Sequence, residues 1–370
     1  MNARKKNNVA GTVLIMAGGT GGHIFPALCV ADYLRERGYH IEWLGTSRGL
    51  EVSVLQETGI PLHFLTASGL RGKGILKLLM APLMILRASW QALRLLQQIK
   101  PCCVLGMGGY VTGPGGVAAK MLGKKLVIHE QNAVAGLSNG LLSRVADRVL
   151  EAFPDTFQES VNAIHTGNPV RGNILRQSEQ KRRQESARVL RVLVLGGSLG
   201  AVALNTIMPA VLKQFSEADM PWVMHQTGGK NLEATAQVYS AQGITLDAEH
   251  QLLPFIDDMS VVYSWADVVI CRAGATTVSE LAIMGLPSIL VPYPHAVDDH
   301  QTRNAQWLAE AGAAVVLPQE EMTAEKLCSI LSNFSSNRDL LTSMSAAASS
   351  LAQPEATAKV ASICMEMCDA

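Results

Sequence analysis

Five times in this chain a short, mostly apolar run ends in a glycine-bearing turn, and after the first, third and fifth of these turns helical spacing follows. Val13–Ala17 leads into Gly18-Gly19-Thr20-Gly21-Gly22-His23, and Cys103–Gly106 leads into the glycine-rich stretch 107–116. Val192–Leu195 leads into Gly196–Ala201, Trp222–Gln226 into Thr227-Gly228-Gly229, and Asp267–Ile270 into Arg272-Ala273-Gly274-Ala275. Apolar runs without alternation are strands buried on both faces, the habit of parallel sheets. Glycine between strand and helix lets a ligand approach the backbone, and the helix start offers unpaired N–H groups to an anion. The unit begins near residue 13 and again near 192 in a chain of 370 residues, so two domains are expected. The fold class is α/β, with two Rossmann-like doubly wound parallel-sheet domains facing across a cleft. The boundaries drawn are 1–166, 167–345 and a C-terminal helix within 346–370 whose docking is left open.

The first glycine turn is not a dinucleotide site. That fingerprint needs glycine or alanine at Ile24 and an acid closing the second strand, where Gly45-Thr46 stand. A helix from about Pro26 to Arg37 follows the turn, which puts the titratable His23 at the loop's exit. Strand 126–128 ends in the polar cluster His129-Glu130-Gln131-Asn132, again on the ligand edge of an open sheet. In the second half, helical spacing over Thr276–Met284 stops at Gly285-Leu286-Pro287. Glu280 sits one turn into that helix, where its carboxylate suits a vicinal diol such as a ribose. Thr277 to Glu280 also spells a capping box that needs no ligand, and the residues leave both readings open.

The chain is neutral overall, with 31 basic and 31 acidic residues, yet the charge is unevenly spread. Residues 1–165 hold 17 Lys+Arg against 10 Asp+Glu, leaving 14 against 21 for the remainder, so the halves carry +7 and −7. Thr58 to His129 has no acid and nine basic residues, the mark of a surface that meets an anion. Within it, Leu78–Leu86 is uncharged, Trp90 follows a turn later, and Arg71, Lys73, Lys77, Arg87 and Arg94 flank the run. Such a run is too short to span a bilayer, which needs about 20 residues. It can seat a helix among anionic headgroups, so 71–94 is read as a membrane-facing segment rather than a core helix kinked at Pro82. The seven cysteines show no metal or disulfide spacing and are expected as buried thiols in a reducing cytoplasm. The N-terminal apolar run is too short for a signal peptide or anchor.

Eight motifs in order carry a resemblance. They are GGTGGH at 18–23, GMGGYVTGP at 106–114, HEQN at 129–132, GNPVR at 167–171, GGS at 196–198, FIDDM at 255–259, RAGATTVSE at 272–280 and DHQTRNA at 299–305. Over about residues 11–320 the chain resembles the GT-B glycosyltransferases that make lipid II in peptidoglycan synthesis. Leu199 departs from the pattern, where relatives often carry glutamine. The resemblance implies inverting transfer of N-acetylglucosamine from UDP-GlcNAc to the muramoyl 4-hydroxyl of lipid I, without cofactor or metal. It implies a peripheral enzyme on the cytoplasmic side of the inner membrane, meeting anionic lipid but no nucleic acid.

Its site residues follow the same way. Ile256 meets uracil, Glu280 the ribose, and Ser198 with Ala275, Thr276, Thr277 and Val278 the pyrophosphate, with Arg171 close by and Ser279 among the donor contacts. Gln301 reads the sugar hydroxyls, and Thr20, Gly21, Gly22 and Asn132 reach the sugar from the other domain. An inverting displacement needs a base, for which His23 is the first choice and Glu130 the second. Asp257-Asp258 and Asp298-Asp299 are read as caps and polar loop. Two other readings are another GT-B class, such as a UDP-GlcNAc epimerase, and a non-catalytic UDP-sugar-binding protein.

Overall fold

The computed structural model describes residues 10–47, 49–66, 74–180, 189–197 and 200–370, with backbone only from 74 to 81. Two compact units emerge, one running up to Arg171 and taking back Pro354–Ala370, the other formed by Gly172–Gln353. The first contains strands β1 (Thr12–Met16), β2 (His40–Gly45), β3 (Leu62–Phe64), β4 (Cys103–Gly106), β5 (Lys125–Glu130), β6 (Arg148–Glu151) and β7 (Ile164–His165). Its helices are α1 (Gly21–Glu36), α2 (Glu51–Leu55), α3 (Gly74–Ile99), α4 (Thr112–Met121) and α5 (Leu137–Leu142). The strands pair in parallel in the order β3-β2-β1-β4-β5-β6-β7.

The reason for the parallel sheet is visible in β1, where Val13, Leu14, Ile15 and Met16 are all fully buried. Val13 and Ile15 enter one core layer with Ile24, Ala27 and Leu34 of α1. Leu14 and Met16 enter the opposite layer with Ala92 and Leu96 of α3 and Ala118 of α4. β1 lies between β2 and β4, so the strand order reverses there, and the turns after β1 and β4 flank that switch point.

The second unit repeats the plan with strands β8 (Arg191–Leu195), β9 (Trp222–Gln226), β10 (His250–Leu253), β11 (Val268–Cys271), β12 (Ser288–Leu290) and β13 (Ala314–Val316). They run parallel in the order β10-β9-β8-β11-β12-β13, with the switch between β8 and its neighbours β9 and β11. Helices α6 (Gly172–Gln180), α7 (Val202–Leu212), α8 (Leu232–Ala241), α9 (Met259–Trp265), α10 (Ala275–Met284), α11 (His300–Glu310), α12 (Ala324–Ser336) and α13 (Arg338–Ser350) complete it. Val192, Val194, Val268 and Ile270 pack there against Leu204 and Met208 of α7 and Leu327 and Leu331 of α12.

Helix α14 (Ala356–Asp369) returns to the first unit and buries Val360, Ala361, Cys364 and Met367 in the α1 layer. Cys368 is bonded there to Cys102, against the expectation that all seven cysteines are free thiols. The partners are 266 residues apart, and no spacing rule reaches that far. Beside them the buried Cys364 thiol is hydrogen-bonded to Cys103, which with burial pushes it well above the usual thiol range. α1 begins at Gly21, five residues before the expected start at Pro26, so Gly21, Gly22 and His23 form its first turn. Pro26 is then the sixth helical residue, past the first turn, where it brings no N–H for the carbonyl four residues back.

Candidate functional site

In the first unit the turns after β1 and β4 press together. A side chain on Gly109, whose φ is +85°, would collide with the Gly18 carbonyl oxygen. One on Gly108, at φ +100°, would meet the His23 ring at 2.7 Å. Glycine at both positions therefore permits the contact as well as the backbone angle. Thr112 Oγ1 donates to the Gly108 carbonyl at 2.8 Å and accepts from the Gly108 N–H at 3.1 Å, fixing the second turn from inside α4.

The first turn is held by Glu51, a residue the motifs do not point to. Its carboxylate is fully buried and accepts from the Gly19 N–H at 3.1 Å, the Thr46 N–H at 2.7 Å and the Thr46 hydroxyl at 2.8 Å. A buried carboxylate with three donors is a rigid anchor, because any lost bond exposes an unpaired charge to a dry interior.

The polar cluster after β5 separates into two kinds of residue. Glu130 is 2% exposed, and its oxygens accept from the Asn132 N–H at 3.1 Å, Asn132 Nδ2 at 3.2 Å, the Gly136 N–H at 3.1 Å and Asn139 Nδ2 at 2.9 Å. Four donors on two oxygens make it the organiser of the 131–139 loop. His23 Nδ1 instead contacts Gln131 Oε1 at 2.7 Å. His129 behind them is fully buried, and that burial pulls its pKa down to about 4. Asn132 is half-buried with its side chain on Glu130, and Thr20 caps α1 without a side-chain bond. The Arg171 guanidinium stands 5.7 Å from the centre of the Phe25 ring.

In the second unit the focus is the start of α10. Gly274 is its cap, with φ −66° and ψ 141°. Thr277 is thus the third helical residue and Glu280 the sixth, so the capping box is not formed. Val278 donates its N–H to the Gly274 carbonyl at 2.9 Å, leaving Ala275, Thr276 and Thr277 with N–H groups that have no acceptor inside the helix. The Thr276 hydroxyl oxygen is buried and has no hydrogen-bond partner among the described residues. Ser279 turns its hydroxyl back to the Ala275 carbonyl at 3.0 Å.

Glu280 is 3% exposed, and its Oε2 accepts from the Tyr263 hydroxyl of α9 at 3.0 Å. Asn304 of α11 donates to the Ala273 carbonyl at 3.1 Å and so fixes the turn before α10. Gln301 accepts the Tyr293 N–H at 2.9 Å. Ile256 is half-buried in the link between β10 and α9. Asp258 caps α9 through the Ser260 N–H at 2.9 Å, and Asp298 and Asp299 lie in a turn at φ +53° and +50°, as the cap-and-loop reading expects. Ser198 and Leu199 lie outside the described residues, as do Arg71, Lys73 and the Lys77 side chain.

Along α3, Ala88, Ala92 and Leu96 are buried, while Leu83, Leu86 and Trp90 are 66%, 67% and 52% exposed. With Met121 of α4 these outward residues line a shallow groove of about 480 Å3. The Arg94 guanidinium covers the Trp90 ring at 3.6 Å. Among the described residues no helix is long and apolar enough to cross a membrane.

Family comparison matches residues 13–151 to the glycosyltransferase family 28 N-terminal domain and residues 191–361 to its C-terminal domain. The chain is 53% identical over 355 residues to the "UDP-N-acetylglucosamine--N-acetylmuramyl-(pentapeptide) pyrophosphoryl-undecaprenol N-acetylglucosamine transferase" of Azotobacter vinelandii, covering 96% of this chain and 98% of the relative. The enzyme of that name from Ectopseudomonas mendocina is 53% identical over 357 residues, 96% of this chain and 99% of its own. Among solved structures, Acinetobacter baumannii MurG superposes with a TM-score of 0.80 at 43% identity, over 96% of this chain and 99% of that one. A putative UDP-N-acetylglucosamine 2-epimerase from Listeria monocytogenes has a TM-score of 0.64 over 94% of each chain, but at 14% identity it shares the fold alone.

Proposed function

The chain belongs to glycosyltransferase family 28, and on that premise we propose that it transfers N-acetylglucosamine from UDP-GlcNAc to the MurNAc 4-hydroxyl of lipid I, forming lipid II and UDP with inversion. The observation that carries the donor half is the start of α10. Three open N–H groups, the orphaned Thr276 hydroxyl and the buried Glu280 carboxylate one turn later match a diphosphate followed by a ribose. As the bond from the anomeric carbon to the phosphate oxygen breaks, charge gathers on UDP, and the positive end of α10 stabilises it. Ser198 and Arg171 complete the phosphate contacts in this reading, while the Val278 N–H stays with the Gly274 carbonyl, Ile256 receives the uracil, and the Gln301 amide NH2 reads a sugar hydroxyl.

The acceptor hydroxyl gives its proton to His23 as its oxygen attacks the anomeric carbon on the face opposite UDP. Thr20, Gly21, Gly22 and Asn132 are the sugar and acceptor contacts in the first unit. The outward apolar face of α3, with Arg87 and Arg94, is read as the seat on an anionic lipid surface, which would make the enzyme peripheral.

The test is transfer of labelled N-acetylglucosamine from UDP-GlcNAc to a short-chain lipid I analogue. Wild-type turnover is expected, with turnover lost but donor binding kept in His23→Ala, and donor binding weakened at least about tenfold in Glu280→Ala. Donor bound without transfer to this acceptor would overturn the reading and favour a binding protein.

A further inference from the structure

A chain of hydrogen bonds runs from His23 into the interior, and its polarity can be read from the inner end. His129 Nε2 lies 3.0 Å from the Gly167 carbonyl oxygen, which can only accept, so Nε2 carries the hydrogen. The ring is buried and neutral, hence Nδ1 is a lone pair. Gln131 Nε2 lies 2.9 Å from that lone pair and 3.1 Å from the His129 carbonyl oxygen. Two acceptors face the same amide nitrogen, and turning the amide round would set its oxygen against both. Gln131 Oε1 is thereby aimed at His23 Nδ1, 2.7 Å away, and accepts from it. From the other side, Asn168 Nδ2 holds the Gln131 carbonyl at 3.0 Å, and Asn139 Nδ2 holds that of His129 at 3.1 Å. The His23 hydrogen therefore sits on Nδ1, and Nε2 keeps its lone pair.

We propose that Gln131 and His129 are positioning residues that fix His23 in the tautomer whose Nε2 can take a proton, an inference that rests on the base assignment above. In the transfer step the acceptor O–H bond breaks, the proton goes to Nε2, and Nδ1–H stays on Gln131 until the imidazolium releases a proton to water. Gln131 is neutral, so it orients the ring without adding a charge. The titratable groups facing the chain are His129, then Glu130 and His165 beyond it, and Glu51 on the turn before His23.

The experiment measures kcat, acceptor KM and the pH dependence of kcat for wild type, Gln131→Met, Gln131→Glu and His23→Ala, with thermal melting as the check of folding. Gln131→Met is expected to lose about 100-fold in kcat, the scale of misplaced general-base catalysis, with little change in KM. Gln131→Glu keeps an acceptor for Nδ1–H but sets its second oxygen against the His129 lone pair and carbonyl, so it is expected to recover part of the kcat lost in Gln131→Met, with the acidic limb moved up by about one pH unit. His129→Phe removes the lone pair behind Gln131 and tests the same chain if Gln131→Met does not fold. Wild-type kcat in Gln131→Met, or equal losses in Met and Glu variants with an unmoved acidic limb, would overturn the proposal. Full activity in His23→Ala would instead sink the base assignment itself.

Discussion

At the level of single residues, burial of neutral histidines ties stability to pH. Burial holds His129 at about 4 and His225 at about 3. His225 is locked between the Tyr239 hydroxyl and Asn205 Oδ1, both at 3.0 Å. Unfolded, each titrates near 6.5, so between that value and the folded one the unfolded chain binds more protons. Stability is then complete above about pH 6.5 and erodes as pH falls, by about 2 kcal/mol per histidine at pH 5. A urea midpoint measured from pH 7.5 to 5.0 should fall accordingly, and His225→Phe should remove its share of the slope whatever it does to the midpoint. An unchanged slope would mean that His225 is protonated in the fold. What the sequence made legible here is instructive. His23, Gln131 and Glu280 all stand inside motifs, but Gln131 acts on a ring 108 positions away and Glu51 on a turn 32 away. Contacts of that range belong to the fold, and no spacing within a motif encodes them.

At the level of elements, strands were the most legible part, because a strand buried on both faces has to be apolar throughout. Helix starts were less so. α1 opens on Gly21-Gly22, which reads as loop until the sheet fixes its direction, and α10 opens two residues before the box that seemed to cap it. α3 was legible for a different reason: with acids absent around it, its outward face could be read before its inward one. Leu86 and Trp90 are exposed there, and each contributes about 1.5–3 kcal/mol if an acyl layer covers it. Sedimentation with vesicles containing anionic phospholipid should therefore show binding that weakens with salt. Leu86→Asp and Trp90→Asp should each cut it at least about tenfold while leaving UDP-GlcNAc binding alone. Equal partitioning of wild type and both variants would remove α3 from the lipid surface.

At the level of the molecule, the duplicated strand–turn–helix pattern announced two parallel sheets, but not that the first unit is discontinuous in sequence. Nothing in the modest amphipathicity of residues 352–367 says which core they join, since helical spacing gives a face and no address. Their address is the α1 layer, where Val360 and Met367 are buried beside Val13 and Ile15, and the Cys102–Cys368 bond adds a covalent tether. A chain ending at residue 353 would leave that layer open on the first unit and keep every element of the second. Two melting transitions are expected to respond differently. The first unit's should drop by at least about 10 °C, from the loss of roughly 5 kcal/mol of burial. UDP-GlcNAc binding, assigned to α10, should persist within about threefold, because no contact that builds α10 is removed. Reductant acting on the full-length chain should give a smaller drop than truncation, since the packed face of α14 remains when its tether is cut. If truncation instead abolished donor binding and left the first unit's transition in place, the helix would belong energetically to the second unit, whatever core it touches.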